Sequence, residues 1–520
     1  MKIADKNIRK GLIILTVTSF VIRAFLAFWL EFGNDEVYYT LFARFPDWSH
    51  FDHPPMIGWL MQITTLNTLL NHEFFYRLSS LIFMTINTLL IFNIAKSIRN
   101  ERTGLYAAIL YNTSVYSAII TGIFILPDTP QNLLWILTML LVLNVFTSDP
   151  DSKQAKKKLV LAGLTIGLGM ISKYTSVFLW FGILTYIMLF DRRWLRKAAL
   201  YYSLLISFVC FITVLYWNIS NDFVSFGFQT GRIVWNGNLR FDYFITELAG
   251  GILYNNPVNY ILFFTMIIAL FRKKFIPEKP YSRLLLLLSL PMIIVFLFFS
   301  LFRATLPHWS APAYNTLIIL TALWLESMAV FRNDQKKIPW VLKLSAALIA
   351  IIIVFGSLQI KYGIFPVKIE TEYHKIGSND ISMDMYGWRE VKPAFEKTRN
   401  RLIAEGKMKP DCALIGENWF PLADFDFYVA RPLEMKAFAI GSLDKIHKYH
   451  WINEISGGFQ LGNDYYYLTT SRDYKHPEQI FPQMFSQIIP SDTITIERNR
   501  KPVKRVFVFL LKDLKVVPNN

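Results

Sequence analysis

The sequence predicts a polytopic α-helical membrane protein with a small α/β domain near its C-terminal end. Three observations carry that reading. Of 520 residues, 53% are hydrophobic and only 18% charged, with 44 Phe, 25 Tyr and 14 Trp, more apolar surface than a soluble chain hides. Apolar runs able to cross ~30 Å of hydrocarbon recur up to residue 360. Beyond that point they cease, and charged residues, Pro and Gly break the pattern.

About eleven spans are expected, near residues 12–30, 76–95, 105–122, 131–147, 159–171, 176–190, 199–217, 258–271, 284–301, 312–330 and 341–360. The first follows a basic N-terminal stretch, with no small-residue cleavage site before Glu31, as in a retained signal-anchor helix. Several runs are shorter than the ~20 residues of a perpendicular span and need neighbours to bury their ends.

The net charge of +16 does not point to nucleic acid, because the basic residues cluster in alternate connections. These clusters are Lys96, Arg99 and Arg102; Lys153, Lys156, Lys157 and Lys158; Arg192, Arg193, Arg196 and Lys197; Arg272, Lys273, Lys274 and Arg283; and Arg332, Lys336 and Lys337. The opposite connections hold few: Arg44, Lys173, Arg232, Arg240 and Arg303. By the positive-inside rule the N-terminus is cytoplasmic and the poorly charged connections lie outside.

Two outside connections are long. Residues 31–75 carry Trp48, Trp59 and an amphipathic stretch, 56–70, suited to lie along the membrane surface. Residues 218–257 are aromatic, with Trp235, Tyr243 and Tyr254. The chain thus divides into a membrane domain, 1–360, and an extracytoplasmic α/β domain, 361–520. Within the latter, 412–415 and 506–511 read as strands and 421–429 as a helix. Tyr386, Gly387 and Trp388, soon after Asp384, read either as a contact with the membrane domain or as a packed aromatic core. Two cysteines, Cys210 and Cys412, exclude a dense disulfide framework and a four-Cys metal site.

The residues that carry chemistry stand out by position. Asp35, Glu36, Asp52, His53, Asp128, Lys173, Arg303 and His308 all fall in connections predicted to face outside. Each has a structural reading: a solvated pair at Asp35-Glu36, a turn at His53-Pro54-Pro55, a helix cap at Asp128, a snorkelling side chain at Lys173 or Arg303. As a set they point to one site, because ionisable groups at membrane depth are costly. Carboxylates can take a proton from an attacking hydroxyl, while Arg, Lys and His can hold a departing phosphate. No Gly-rich phosphate loop or dinucleotide fingerprint is present. A lipid-linked phosphate donor fits a site facing away from the nucleotide-sugar pool.

Five motifs follow in order: Asn34-Asp35-Glu36 with Tyr38-Tyr39; His53-Pro54-Pro55; Leu126-Pro127-Asp128-Thr129-Pro130; Ser172-Lys173-Tyr174; and Leu306-Pro307-His308-Trp309-Ser310-Ala311-Pro312. In this order and sidedness, over residues 10–330, the chain resembles the protein O-mannosyltransferase and lipid A aminoarabinose transferase superfamily, whose bacterial members use polyprenyl-phosphate sugars. The resemblance implies the C-type glycosyltransferase (GT-C) fold and a polyprenyl monophosphate sugar donor, and leaves the acceptor open among lipid A, another cell-envelope glycan and, less favoured, protein hydroxyls; the transfer expected is a single inverting displacement. It makes Asp35 the catalytic base and Glu36 its positioning neighbour. Asp128 matches the second acidic position, and Lys173, Arg303 and His308 fall where the carrier phosphate binds. Asp52 and His53 complete the substrate-binding set, but stand where aminoarabinose-transferase-like members often show Glu-Lys. No cofactor is required on this reading and no metal site is indicated. The expected location is the cytoplasmic (inner) membrane, with the site and the C-terminal domain on the periplasmic or extracellular side. The rivals are a lipid-linked sugar flippase, which predicts paired repeats and broken helices near the midplane, and a non-catalytic membrane scaffold.

Overall fold

Every stretch expected to span the membrane is helical in the computed structural model, which describes residues 2–232, 237–331, 337–367 and 372–517. Trp235, Arg332 and Lys336 lie outside the described residues. Seven described helices are long and apolar enough to cross a membrane: Lys6–Trp29, Glu73–Ile98, Asp128–Phe146, Ala198–Ser220, Lys279–Ser300, Ala311–Phe331 and Trp340–Tyr362. An eighth is added if Phe241–Tyr254 and Pro257–Phe271, bent by 103° at their junction, form one span.

The other expected spans take shorter or more polar forms. Residues 105–122 divide between Glu101–Thr113 and a π-helical turn, Tyr116–Ile120. Residues 159–171 fall within Lys153–Met170, whose first turns carry the lysines, and 176–190 within Val177–Phe190. The amphipathic stretch after Pro55 is helical only over Met56–Thr64, since Leu66, Asn67 and Thr68 all adopt positive φ and stop it.

The chain forms two compact units, Met1–Phe28 with Asp47–Ile352 and Trp29–Pro46 with Ile353–Asn520. The compositional break at residue 360 therefore differs from the contact boundary. Residues 29–46, sequentially part of the first outer connection, pack with the C-terminal residues.

In the first unit the helices are held by close packing and by polar groups in an apolar setting. A Cβ on Gly163 would sit 2.2 Å from the Ser203 carbonyl oxygen, and one on Gly167 would sit 2.8 Å from Ser207 Cα. Glycine at this four-residue spacing brings Lys153–Met170 against Ala198–Ser220, as small residues do between membrane helices. Ser203 Oγ then donates to the Leu159 carbonyl at 2.7 Å and Ser207 Oγ to that of Gly163 at 2.5 Å. Asn315 donates to Asn132 at 2.7 Å, and Asn132 to Tyr111 Oη at 2.9 Å, tying three more helices.

The second unit contains one five-stranded sheet, β1 (Ala413–Gly416), β2 (Ala437–Ala439), β3 (Tyr465–Thr470), β4 (Phe485–Arg498) and β5 (Lys501–Leu514), in the order β2-β1-β3-β5-β4. β1 runs parallel to β2 and β3, whereas β5 is antiparallel to β3 and β4. β3, Tyr-Tyr-Tyr-Leu-Thr-Thr, is buried on both faces, as an inner strand covered on two sides requires. β4 and β5 form a hairpin whose two-residue turn, Asn499-Arg500, has positive φ at both positions. The helix expected at 421–429 is Trp419–Phe425 followed by a π-turn, Asp426–Ala430.

Candidate functional site

In the first unit the chemistry collects around one buried ion pair. Asp128 opens the helix Asp128–Phe146, directly after Leu126-Pro127, so its carboxylate sits at the helix's positive end. Lys173 ends the chain reversal between Lys153–Met170 and Val177–Phe190. Its Nζ donates to both carboxylate oxygens of Asp128, at 2.9 and 2.8 Å. Tyr116 Oη donates to the same carboxylate at 3.2 Å. Both partners are buried, so each charge depends on the other for its solvation.

The segment Asp52-His53-Pro54-Pro55 is fixed beside this pair. The Met56 amide donates to the Ile171 carbonyl at 3.1 Å, and Gln229 Nε2 to the Asp52 carbonyl at 2.6 Å. Asp52 is buried and His53 partly exposed. Burial pushes the His53 imidazole down to about 4, with Lys173 and Arg232 adding to the effect against the opposing pull of Asp52 and Asp128. His308 is likewise lowered to about 4 by burial, then by Lys173, and lies within electrostatic reach of Asp128 and His53. Both imidazoles are therefore neutral at neutral pH, each carrying one N–H.

His53 and Lys173 open onto a cavity of about 260 Å³, lined also by Tyr174, Gln229, Arg232 and Trp309 and walled by Val177, Phe178, Val295, Phe296 and Phe299. Its lining thus combines charged and hydrogen-bonding side chains with an apolar wall. The Arg232 guanidinium lies 4.2 Å over the Phe228 ring and 5.9 Å from that of Trp309. Arg232 and Gln229 carry no motif and were not among the sequence candidates. Arg303 is not a lining residue: its guanidinium donates to the Gly231 carbonyl, at the end of the short helix before Arg232. Thr305, also lining the cavity, donates to Glu247 at 2.7 Å.

Asp35 and Glu36 belong to the second unit, on the first turn of Asn34–Arg44. Asp35 is exposed, whereas Glu36 is buried and caps the helix start, its Oε2 accepting from the Gly33 amide at 3.1 Å. The helix is tied to the C-terminal residues by Phe32 N to Tyr428 Oη at 2.8 Å, Lys448 N to Tyr38 Oη at 3.3 Å and Arg44 to Asp426 at 3.2 Å. Glu31 accepts from the Trp388 amide at 2.8 Å, and Trp388 is fully buried with its ring edge-on to Phe425. Trp388 is thus part of an aromatic core within this unit. Among the described residues no group of three His, Cys, Asp or Glu side chains is placed to hold a metal ion.

A family model for dolichyl-phosphate-mannose-protein mannosyltransferases matches residues 52–217. Along the fold, ArnT from Cupriavidus metallidurans aligns over 96% of this chain and 98% of its own in the apo state, with a TM-score of 0.59 at 12% identity. The same protein bound to undecaprenyl phosphate aligns with a TM-score of 0.60 at 13% identity, covering 96% of this chain and 97% of that one. The chain has the GT-C fold. Lipid A galacturonosyltransferase RgtD of Rhizobium johnstonii is 22% identical over 300 residues, 57% of this chain. That match spans 60% of the relative's length. With the apolar helices, the GT-C fold makes this a multi-pass membrane protein. The matched family segment holds Asp52, His53, Asp128 and Lys173, whereas Asp35, Glu36, Arg303 and His308 lie beyond its ends.

Proposed function

We propose that this GT-C protein moves a sugar from a polyprenyl-phosphate carrier to a cell-envelope glycan acceptor, of which lipid A is the first candidate, on the outer face of the cytoplasmic membrane. The observation that carries the reading is the mixed lining of the cavity at Lys173. Lys173, Arg232 and His53 bring charge and polar groups to its lining, and Phe178, Val295, Phe296 and Phe299 bring apolar surface. An anionic head joined to an apolar chain matches both kinds of lining, since burying either half against the wrong surface is costly. The ArnT structure with undecaprenyl phosphate and the lipid A activity named for RgtD support the same class of donor and acceptor.

In this reaction the acceptor oxygen attacks the anomeric carbon, the bond from that carbon to the phosphate oxygen breaks, and the anomeric configuration inverts. The acceptor proton passes to the base, assigned by sequence resemblance to Asp35, an exposed carboxylate able to meet a hydroxyl. The carrier leaves as a phosphate monoester whose charge Arg232 offsets, while Lys173, already paired with Asp128, has one further ammonium N–H for it. Asp128 fixes Lys173 in place through two hydrogen bonds, and neutral His53 carries one N–H. Arg303 and His308 join the phosphate set on the resemblance alone, and Asp52 shapes the loop that presents His53.

Mass spectrometry of envelope lipids and glycoproteins from cells with and without this protein tests the reading. A glycan species heavier by one sugar, present only with the active protein, is the expected result. Identical lipid and glycoprotein profiles in the two strains would reject it.

A further inference from the structure

We propose that the second unit carries a saccharide-binding site of its own, in the crevice beyond the C-terminal ends of β1 and β3. The inference begins with topology. β1 is flanked by two parallel strands, and the chain leaves β1 toward β2 but leaves β3 toward β4 and β5. Where adjacent parallel strands send their connections to opposite sides, a crevice opens outside their carboxyl ends, and ligands of α/β sheets bind there. A cavity of about 310 Å³ occupies that place, lined by residues 416–422 following β1 and by residues 467–475 of β3 and its connection. Its size is at the lower end for small-molecule sites, roughly 300–1,000 Å³. It shares no lining residue with the cavity at Lys173.

The lining chemistry selects the class of ligand. Glu417 and Asp473 face Arg472 and Lys475, so the formal charges cancel. Both bases are already engaged: Lys475 pairs with Glu417 at 3.0 Å and Arg472 pairs with Asp384. A phosphate or other free anion therefore finds no spare positive charge. What remains are planar hydrogen-bonding groups and two aromatic side chains, Tyr467 and Tyr474. Asn418 stands at the N-cap of Trp419–Phe425 yet makes no capping bond with its side chain. Asp473 is held by the Thr470 hydroxyl at 2.9 Å. The Tyr474 ring is fixed by stacking on His374 at 4.2 Å, and Tyr467 by an edge contact with Phe481. Fixed rings with carboxylate and amide groups around them suit a ring with an apolar face and a rim of hydroxyls.

The site does not depend on the transfer reaction, so it is tested without donor. Purified full-length protein in detergent is titrated with chitobiose, with maltose and, as an anion control, with inorganic phosphate, using saturation-transfer NMR and calorimetry. We expect at least one disaccharide to bind saturably and phosphate neither to bind nor to compete. Asn418→Ala should weaken that binding about tenfold, the loss of one well-made hydrogen bond, and Lys475→Met, at an exposed position, should shift it measurably without changing the unfolding temperature. Absence of saturable disaccharide binding by the wild type, displacement of the sugar by phosphate, or affinity unchanged in both variants would overturn the proposal. A positive result stands whether or not the protein proves to be a transferase.

Discussion

Lys173 Nζ lies 2.8 and 2.9 Å from the two carboxylate oxygens of Asp128, across 45 residues of sequence, and both side chains are buried. The pair places a cation at the edge of an apolar cavity. Removing one partner strands the other, at a cost of about 3–5 kcal/mol. Asp128→Asn and Lys173→Met should therefore each lower thermal stability in detergent more than the double replacement does. Additive losses in a double-mutant cycle would mean that the pair is not coupled.

Arg232 lines the cavity, whereas Arg303 donates to a backbone carbonyl beside it. Arg232→Ala should weaken polyprenyl-phosphate binding roughly tenfold to a hundredfold, the ~1.5–3 kcal/mol of one charge-assisted contact. Arg303→Ala should cost less. Equilibrium binding of a short-chain polyprenyl phosphate to each variant decides the order. Because burial holds His53 and His308 at about 4, both stay neutral from pH 6 to 8 and should impose no pH dependence on that binding there.

Glu36 and Asp35 should separate cleanly. Glu36 accepts from the Gly33 amide, so Glu36→Ala should mainly lower stability, by about 0.5–1.5 kcal/mol for one hydrogen bond. Asp35→Asn should leave stability and donor binding near normal but reduce turnover on the order of 10²–10⁴. Unfolding curves and single-turnover rates for the two variants make the comparison.

Asp424 is fully buried in the second unit and neither carboxylate oxygen has a hydrogen-bond partner among the described residues. Burial raises its carboxyl well above the usual range, against the pull of Lys504. The folded state then keeps a proton that the unfolded chain releases above its ordinary carboxylate range. The stability this contributes is fully present at low pH and is lost as pH rises toward the folded value. Asp424→Asn should flatten that loss, so the variant should gain stability over the wild type as pH rises from 5 to 8. An unfolding temperature that falls in parallel for both proteins would contradict this.

Asp128 and Lys173 stood out in the sequence because each interrupts an apolar run at a helix end on the same predicted side; that they form an ion pair was not legible, since 45 residues separate them. Arg232 and Gln229 did not stand out, because they sit in an aromatic connection with no periodicity to mark their direction. The packing of Asn34–Arg44 with the C-terminal residues was also hidden: its partners Asp426, Tyr428 and Lys448 lie 382 to 410 residues away. In the sheet, β5 announced itself as an apolar run. β3 did not, because three tyrosines and two threonines read equally as surface until both faces are covered.

The most direct test of the account uses the purified protein in liposomes with a polyprenyl-phosphate donor labelled in the sugar and an envelope lipid extract as acceptor. The account predicts that label moves into an acceptor lipid with inverted anomeric configuration, with equimolar release of polyprenyl phosphate, and that Lys173→Met abolishes both. Label that crosses the bilayer still bound to its carrier, with no polyprenyl phosphate released, would contradict it and identify a flippase instead.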